Sequence, residues 1–196
     1  MAGIFNVILA SKGKAINFIP GTIRCLLYSI LAFQNKYYGE FILNAFYYIP
    51  MQFYGFIVWT KQSNSDSKNS SIAIKKLSNK TKIIGGIVAI IFILIYREVL
   101  IKIGTKEPLL NSISTISTAL ALILMTKCYI EHWLLWTITN FASITLWIIA
   151  LKEGSTDVSI LIMFSAFTIN GLYGMYNWSK LYTSQISKSN VYIDIK

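Results

Sequence analysis

The sequence predicts an all-α integral membrane protein, with seven helices in a 3+1+3 arrangement of two parallel three-helix repeats. Three observations predict it. Of the 196 residues 55% are hydrophobic and 13% charged, where soluble domains run nearer ~25% charged, and mean hydropathy is +0.56. A chain this short exposes too much surface to hide that excess in one aqueous core. Apolar runs near the ~20 residues a bilayer span requires cover most of the chain. Finally, a shift of 119 residues lays Tyr54-Gly55 and Trp59-Thr60-Lys61 on Tyr173-Gly174 and Trp178-Ser179-Lys180. The same shift pairs Leu27 with Leu146, Tyr28 with Trp147 and Ile30 with Ile149. The net charge of +10 does not signal nucleic acid, because 12 Tyr, 11 Phe and 5 Trp lie within long Ile/Leu runs rather than on a soluble basic patch.

Apolar runs between polar breaks give segments at 1–10, 15–33, 39–59, 83–101, 109–126, 132–151 and 156–178. Each is read as helix, because a membrane span must satisfy its backbone internally. The first is too short to cross: ten residues rise about 15 Å against a core of about 30 Å. By the repeat offset, the partner of the fifth segment starts about ten residues before Met1, so the first helix reads as truncated. Between the third and fourth segments, KQSNSDSKNSSIAIKKLSNKTK is rich in Ser, Asn and Lys. It reads as a solvated linker. The division is therefore 1–61 for the first repeat, 62–82 for a basic loop, 83–104 for a linker helix, 105–180 for the second repeat and 181–196 for a tail. Three spans alone leave a tandem copy inverted; the fourth restores its direction.

Basic residues sort by alternate loops. Lys12, Lys14, Lys61, Lys68, Lys75, Lys76, Lys80, Lys82, Lys127, Lys180, Lys188 and Lys196 fall on one side. The other side carries only Lys36, Arg97, Lys102, Lys106 and Lys152, among Glu40, Glu98, Glu107, Glu153 and Asp157. The richer side is cytoplasmic, which places the C-terminus inside. Trp59 and Trp178, each followed two residues on by Lys, read as interfacial anchors, with Gly55 and Gly174 permitting close helix contact.

No catalytic constellation is present. His132 has no second His or Cys at ligand spacing, Cys25 and Cys128 form no CxxC, and there is no GxSxG, P-loop or HExxH. Neither metal nor cofactor is expected. Carboxylates cluster at span ends, which argues against an ion-coupled relay.

A polar-aromatic layer does appear. In HWLLWTITNFAS, Trp133, Trp136, Asn140 and Ser143 share one helix face at spacings of three and four. Asn44, Tyr48, Gln52, Gly55 and Trp59 form a second stripe. Gln52 lies roughly 10 Å from Trp59, and Asn170 and Asn140 roughly 12 Å inside Trp178 and His132. Arg24, counted from Lys14, falls at a similar depth. One reading is helix-to-helix hydrogen bonding; the other is a pocket for a flat ring bearing hydroxyls, stacked on aromatic faces and oriented by amides.

Trp133-x2-Trp136-x3-Asn140-x2-Ser143 resembles a signature of the PnuC nicotinamide riboside transporter family. So do ILASKGKAINFIPG, NKYYGEFILNAFYYIPMQFYGFIVW and NGLYGMYNWSK. The resemblance implies facilitated diffusion of nicotinamide riboside in a bacterial inner membrane, trapping of the solute by intracellular phosphorylation, and a homotrimer. By motif position it implies a site at Trp133, Trp136 and Asn140, then Gln52 and Asn170; Tyr48 and Arg24 join from the residue reading. Arg24 stands where the family often has a neutral polar residue, which leaves thiamine, riboflavin or deoxynucleoside transport open. A membrane subunit that docks a partner through its basic 62–82 loop, without transporting anything, is the reading from another class.

Overall fold

The computed structural model describes residues 8–34, 43–65, 72–154 and 158–193. Residues 1–7 of the first predicted segment, 39–42 of the third and 156–157 of the seventh lie outside the described residues, as do Lys36, Glu40, Lys68, Asp157 and Lys196. Among the described residues seven α-helical stretches follow in order: α1, described over 8–11; α2, Phe18–Gln34; α3, Ile49–Ser65, entered through a π-helical turn at Leu43–Tyr48; α4, Asn79–Ile103; α5, Pro108–Thr126; α6, His132–Lys152; and α7, Val158–Ile193. Local chemistry sets several boundaries. Ser78 caps α4 by accepting from Thr81 N at 3.2 Å, and Gly104 ends it at φ 78°. Pro108 opens α5 at the position where its missing N–H costs nothing. The helix α7 outruns its predicted end at 178 and takes in residues assigned to the tail, because no Pro or Gly follows Trp178 to stop it.

Of these, α4, α5 and His132–Ile149 of α6 are long and apolar enough to cross a bilayer. Within α4 only Leu100 is buried, as suits a helix bathed in lipid. On α6, Leu134, Ile138, Phe141 and Ile148 form an exposed apolar stripe. The opposite face buries Trp133, Thr137, Asn140 and Ser143, so the helical spacing read from the sequence selects the inward face.

The chain divides into two compact units: Met1–Lys75 with Ile123–Ile130 and Tyr173–Lys196, and Lys76–Leu122 with Glu131–Leu172. At the centre of the first, Trp59 and Trp178 are each 0% exposed with ring centroids 5.7 Å apart. They are not the interfacial anchors expected from composition. Each indole N–H instead donates to a carbonyl at the end of a helix that opens the other repeat: Trp59 to Met125 O and Trp178 to Ala10 O, both at 3.0 Å. A helix's last carbonyls lack intrahelical donors; here the turn that follows supplies one N–H to each and the buried indole a second. Gly55 lets Phe18 lie edge-on against Trp59, with centroids 4.9 Å apart.

The helices receiving these bonds end alike. Gly13 at φ 66° and Cys128 at φ 63° are both left-handed. Gly13 N donates to Ala10 O and Lys14 N to Leu9 O; Cys128 N donates to Met125 O and Tyr129 N to Leu124 O. This is the Schellman pattern twice over. Here the two repeats correspond at an offset of 115, from Gly13 to Cys128, and not at the 119 that relates Trp59 to Trp178. The difference is about one helical turn, which is why a single gapless shift misaligns the first helices.

The 62–82 linker is not solvated throughout. Residues 62–65 extend α3 and 79–82 begin α4, while Ile72 and Ile74 are 0% and 6% exposed. Alternate side chains of an extended segment share a face, so Ile-x-Ile can be buried where a helical apolar period is absent.

Candidate functional site

The second unit holds Trp133, Trp136, Asn140 and Asn170. Along the buried face of α6, Trp133 is 2% exposed with its ring 4.6 Å from that of His132; Trp136, one turn on, is half-buried; Asn140 is 6% exposed. Two hydroxyl pairs fasten this face to α5: Ser114 with Ser143 at 3.5 Å and Thr118 with Thr139 at 3.3 Å. Asn140 stands between those partners in sequence and its amide belongs to neither pair. Thr137 donates to Trp133 O at 2.8 Å. A Cβ on Gly171 would meet the same hydroxyl oxygen at 3.7 Å, so the neighbouring half-buried Asn170 lies where α7 closes on α6.

The first unit holds Tyr48, Gln52 and Arg24. Asn44 is 3% exposed, Tyr48 half-buried and Gln52 5% exposed, in a stripe with a spacing of four. The Gln52 Oε1 atom is buried without a hydrogen-bond partner. Such an acceptor costs about 1–3 kcal/mol, a penalty that a bound donor would remove. Arg24, counted to the depth of these amides, is not buried with them. It is exposed, with Nη2 3.8 Å from Cys25 Sγ. The buried face of α2 runs through Phe18, Gly21, Cys25 and Ser29 instead. A long side chain one residue off that face carries its charge outward.

Buried polar side chains among the described residues are amides, hydroxyls and His132, with no Lys, Arg, Asp or Glu. No three His, Cys, Asp or Glu side chains of the described residues converge to hold a metal. Two open depressions lie elsewhere: one of about 270 Å³ lined by Lys106, Glu107, Asn111, Trp147 and Glu153, another of about 560 Å³ along Tyr176, Lys180 and Ser184 of α7. In the first, Lys106 and Glu153 pair at 2.7 Å, and that bond raises the Lys106 pKa.

Sequence reasoning missed the α5 hydroxyls. Their signal was present in NSISTISTALAL, where Ser114, Thr118 and Ala121 recur at spacings of four and three; small and hydroxylated residues mark close helix pairs in membranes.

The chain matches the nicotinamide mononucleotide transporter family model over residues 1–180. It is 32% identical over 184 residues to the nicotinamide riboside transporter PnuC of Neisseria mucosa, covering 92% of this chain and 70% of that one. To the nicotinamide riboside transporter PnuC of Haemophilus influenzae it is 34% identical over 181 residues, covering 92% and 77%. The crystal structure of the vitamin B3 transporter PnuC superposes with a TM-score of 0.76 at 31% identity, over 93% of this chain and 79% of that one.

Proposed function

Since the chain belongs to the nicotinamide mononucleotide transporter family and is a multi-pass bacterial membrane protein, we propose that its solute is nicotinamide riboside and that Trp133, Trp136, Asn140, Asn170, Gln52 and Tyr48 recognise it. The observation that carries this reading is the neutrality of the buried polar set among the described residues. A mononucleotide would bring a phosphate into a region without a buried cation, and an unpaired desolvated anion is prohibitively costly. The riboside brings a flat cationic ring and sugar hydroxyls. Aromatic faces attract the ring and amides pair with the hydroxyls. Gln52 Oε1 is a ready acceptor. The exposed Arg24 takes no part.

Transport is facilitated diffusion, since no buried carboxylate among the described residues offers a site for a coupling ion; phosphorylation inside the cell traps the solute. The same proposal has the lysine-rich side and the C-terminus in the cytoplasm, two three-helix repeats at 1–61 and 105–180 around the linker helix, and a homotrimeric assembly.

Flux into proteoliposomes tests it with nicotinamide riboside, nicotinamide mononucleotide, thiamine, riboflavin and a deoxynucleoside. Nicotinamide riboside should enter fastest and equilibrate, indifferent to collapse of proton or sodium gradients. Preference for the mononucleotide would refute the site argument. Accumulation above the outside concentration, without a kinase, would refute passive transport.

A further inference from the structure

A short extended strap crosses the lysine-rich end of the first unit. Ile72 is fully buried beside the α1–α2 turn, where a Cβ on Gly13 would meet Ile72 Cγ1 at 3.3 Å. Three residues on, Lys75 N donates to Cys128 O at 2.8 Å and Lys75 O accepts from Ile130 N at 3.0 Å, in the α5–α6 turn. The strap therefore touches both left-handed turns, Gly13 and Cys128, that end the first helix of each repeat. It is held down from α7 by one side chain. Gln185 Nε2 donates to Ile72 O at 2.9 Å and its Oε1 accepts from Ile74 N at 3.0 Å, so the amide pairs with the strap as a neighbouring strand would.

We propose that Gln185 is a positioning residue for transport, latching the strap across the two turns so that its release opens the lysine-rich end. The proposal rests on the transport reading. A carrier built from two like repeats changes the spacing between equivalent points of those repeats as access alternates. A strap bonded at both turns can follow only one of them, so some anchor must yield. The Gln185 anchor is a single flexible side chain, whereas the Lys75 anchor is paired backbone. Gln185 stands roughly 22 Å along α7 from Asn170 of the proposed site.

Cys128 reports the state of the strap. It is 0% exposed and its carbonyl is bonded to Lys75 N. Burial pushes its thiol up to about 12, so a maleimide reacts only when the turn opens. Cys25, buried in α2, is the internal reference. Gln185→Ala should raise the Cys128 labelling rate about tenfold and nicotinamide riboside counterflow about threefold, with Cys25 labelling unchanged and solute affinity within about twofold. Gln185→Glu, which keeps the acceptor for Ile74 N and loses the donor to Ile72 O, should fall between and serves if the alanine variant does not fold. Cys128 protection unchanged in both variants, equal acceleration at Cys25, or unchanged counterflow overturns the latch. Absence of nicotinamide riboside flux in the wild type overturns the transport reading instead.

Discussion

Gly55→Ala tests the packing of the first unit severely. A Cβ at this position would lie 2.5 Å from Phe18 Cζ and 2.9 Å from Thr126 Cγ2, far inside ordinary contact near 3.5–4.0 Å. Neither neighbour has room to retreat. Phe18 is 1% exposed and held edge-on by Trp59, and Thr126 is 0% exposed, with its hydroxyl donating to Ile123 O at 2.9 Å. Overpacking of this kind costs about 1–3 kcal/mol, and the rigid aromatic neighbour puts the expectation at the upper end. For a chain of this size that is a fall of roughly 5–10 °C in Tm, read by thermal unfolding in detergent. Phe18→Leu in the same background should return part of the loss, since the clash and its partner are then coupled. Gly85→Ala is the matched control: its Cβ would meet nothing within 4 Å, and a helical Gly→Ala change there should be neutral or stabilising by up to about 1 kcal/mol. Equal Tm for Gly55→Ala and the wild type would refute the close approach of α2, α3 and α5.

Gln52→Leu should separate stability from binding. The ligand-free Tm holds or rises because a buried orphan acceptor disappears, while nicotinamide riboside affinity falls in calorimetric titration. Asn140→Ala should weaken that binding by about 1–3 kcal/mol, and unchanged affinity in a folded variant would remove Asn140 from the site. Trp59→Phe and Trp178→Phe each remove one of the two donors to a buried carbonyl, leaving Met125 O to Cys128 N and Ala10 O to Gly13 N, and should each lower stability by about 0.5–1.5 kcal/mol. Burial raises the Cys128 pKa to about 12, with Lys75 and Gln62 opposing that effect. Its contribution to stability is full below the unfolded value near 9 and is lost as pH climbs from there towards 12; denaturant midpoints for wild type and Cys128→Ser should therefore converge or cross over that range.

The helices and the inward face of α6 were readable in the sequence because both rest on local regularities. A bilayer demands runs of a set length, and Trp133, Asn140 and Ser143 recur with the helical period that puts them opposite Leu134, Ile138 and Phe141. Apart from Arg24, the neutrality of the span interiors could be read in the same way, from where the lysines and carboxylates are absent. Other features were decided by tertiary structure. Trp59 and Trp178 look like interfacial anchors by composition, since an indole suits a headgroup boundary as well as a protein core, and only the carbonyls of Met125 and Ala10 chose the core. Arg24 counts to the right depth in α2 but faces outward, because depth along a helix does not fix azimuth. Ile72 and Ile74 sit in a polar stretch and find their burial only beside turns more than fifty residues away on one side and Gln185 on the other. In a membrane, lipid and protein neighbours are alike apolar; periodicity shows which face is apolar or polar, and only long-range contacts determine what that face meets.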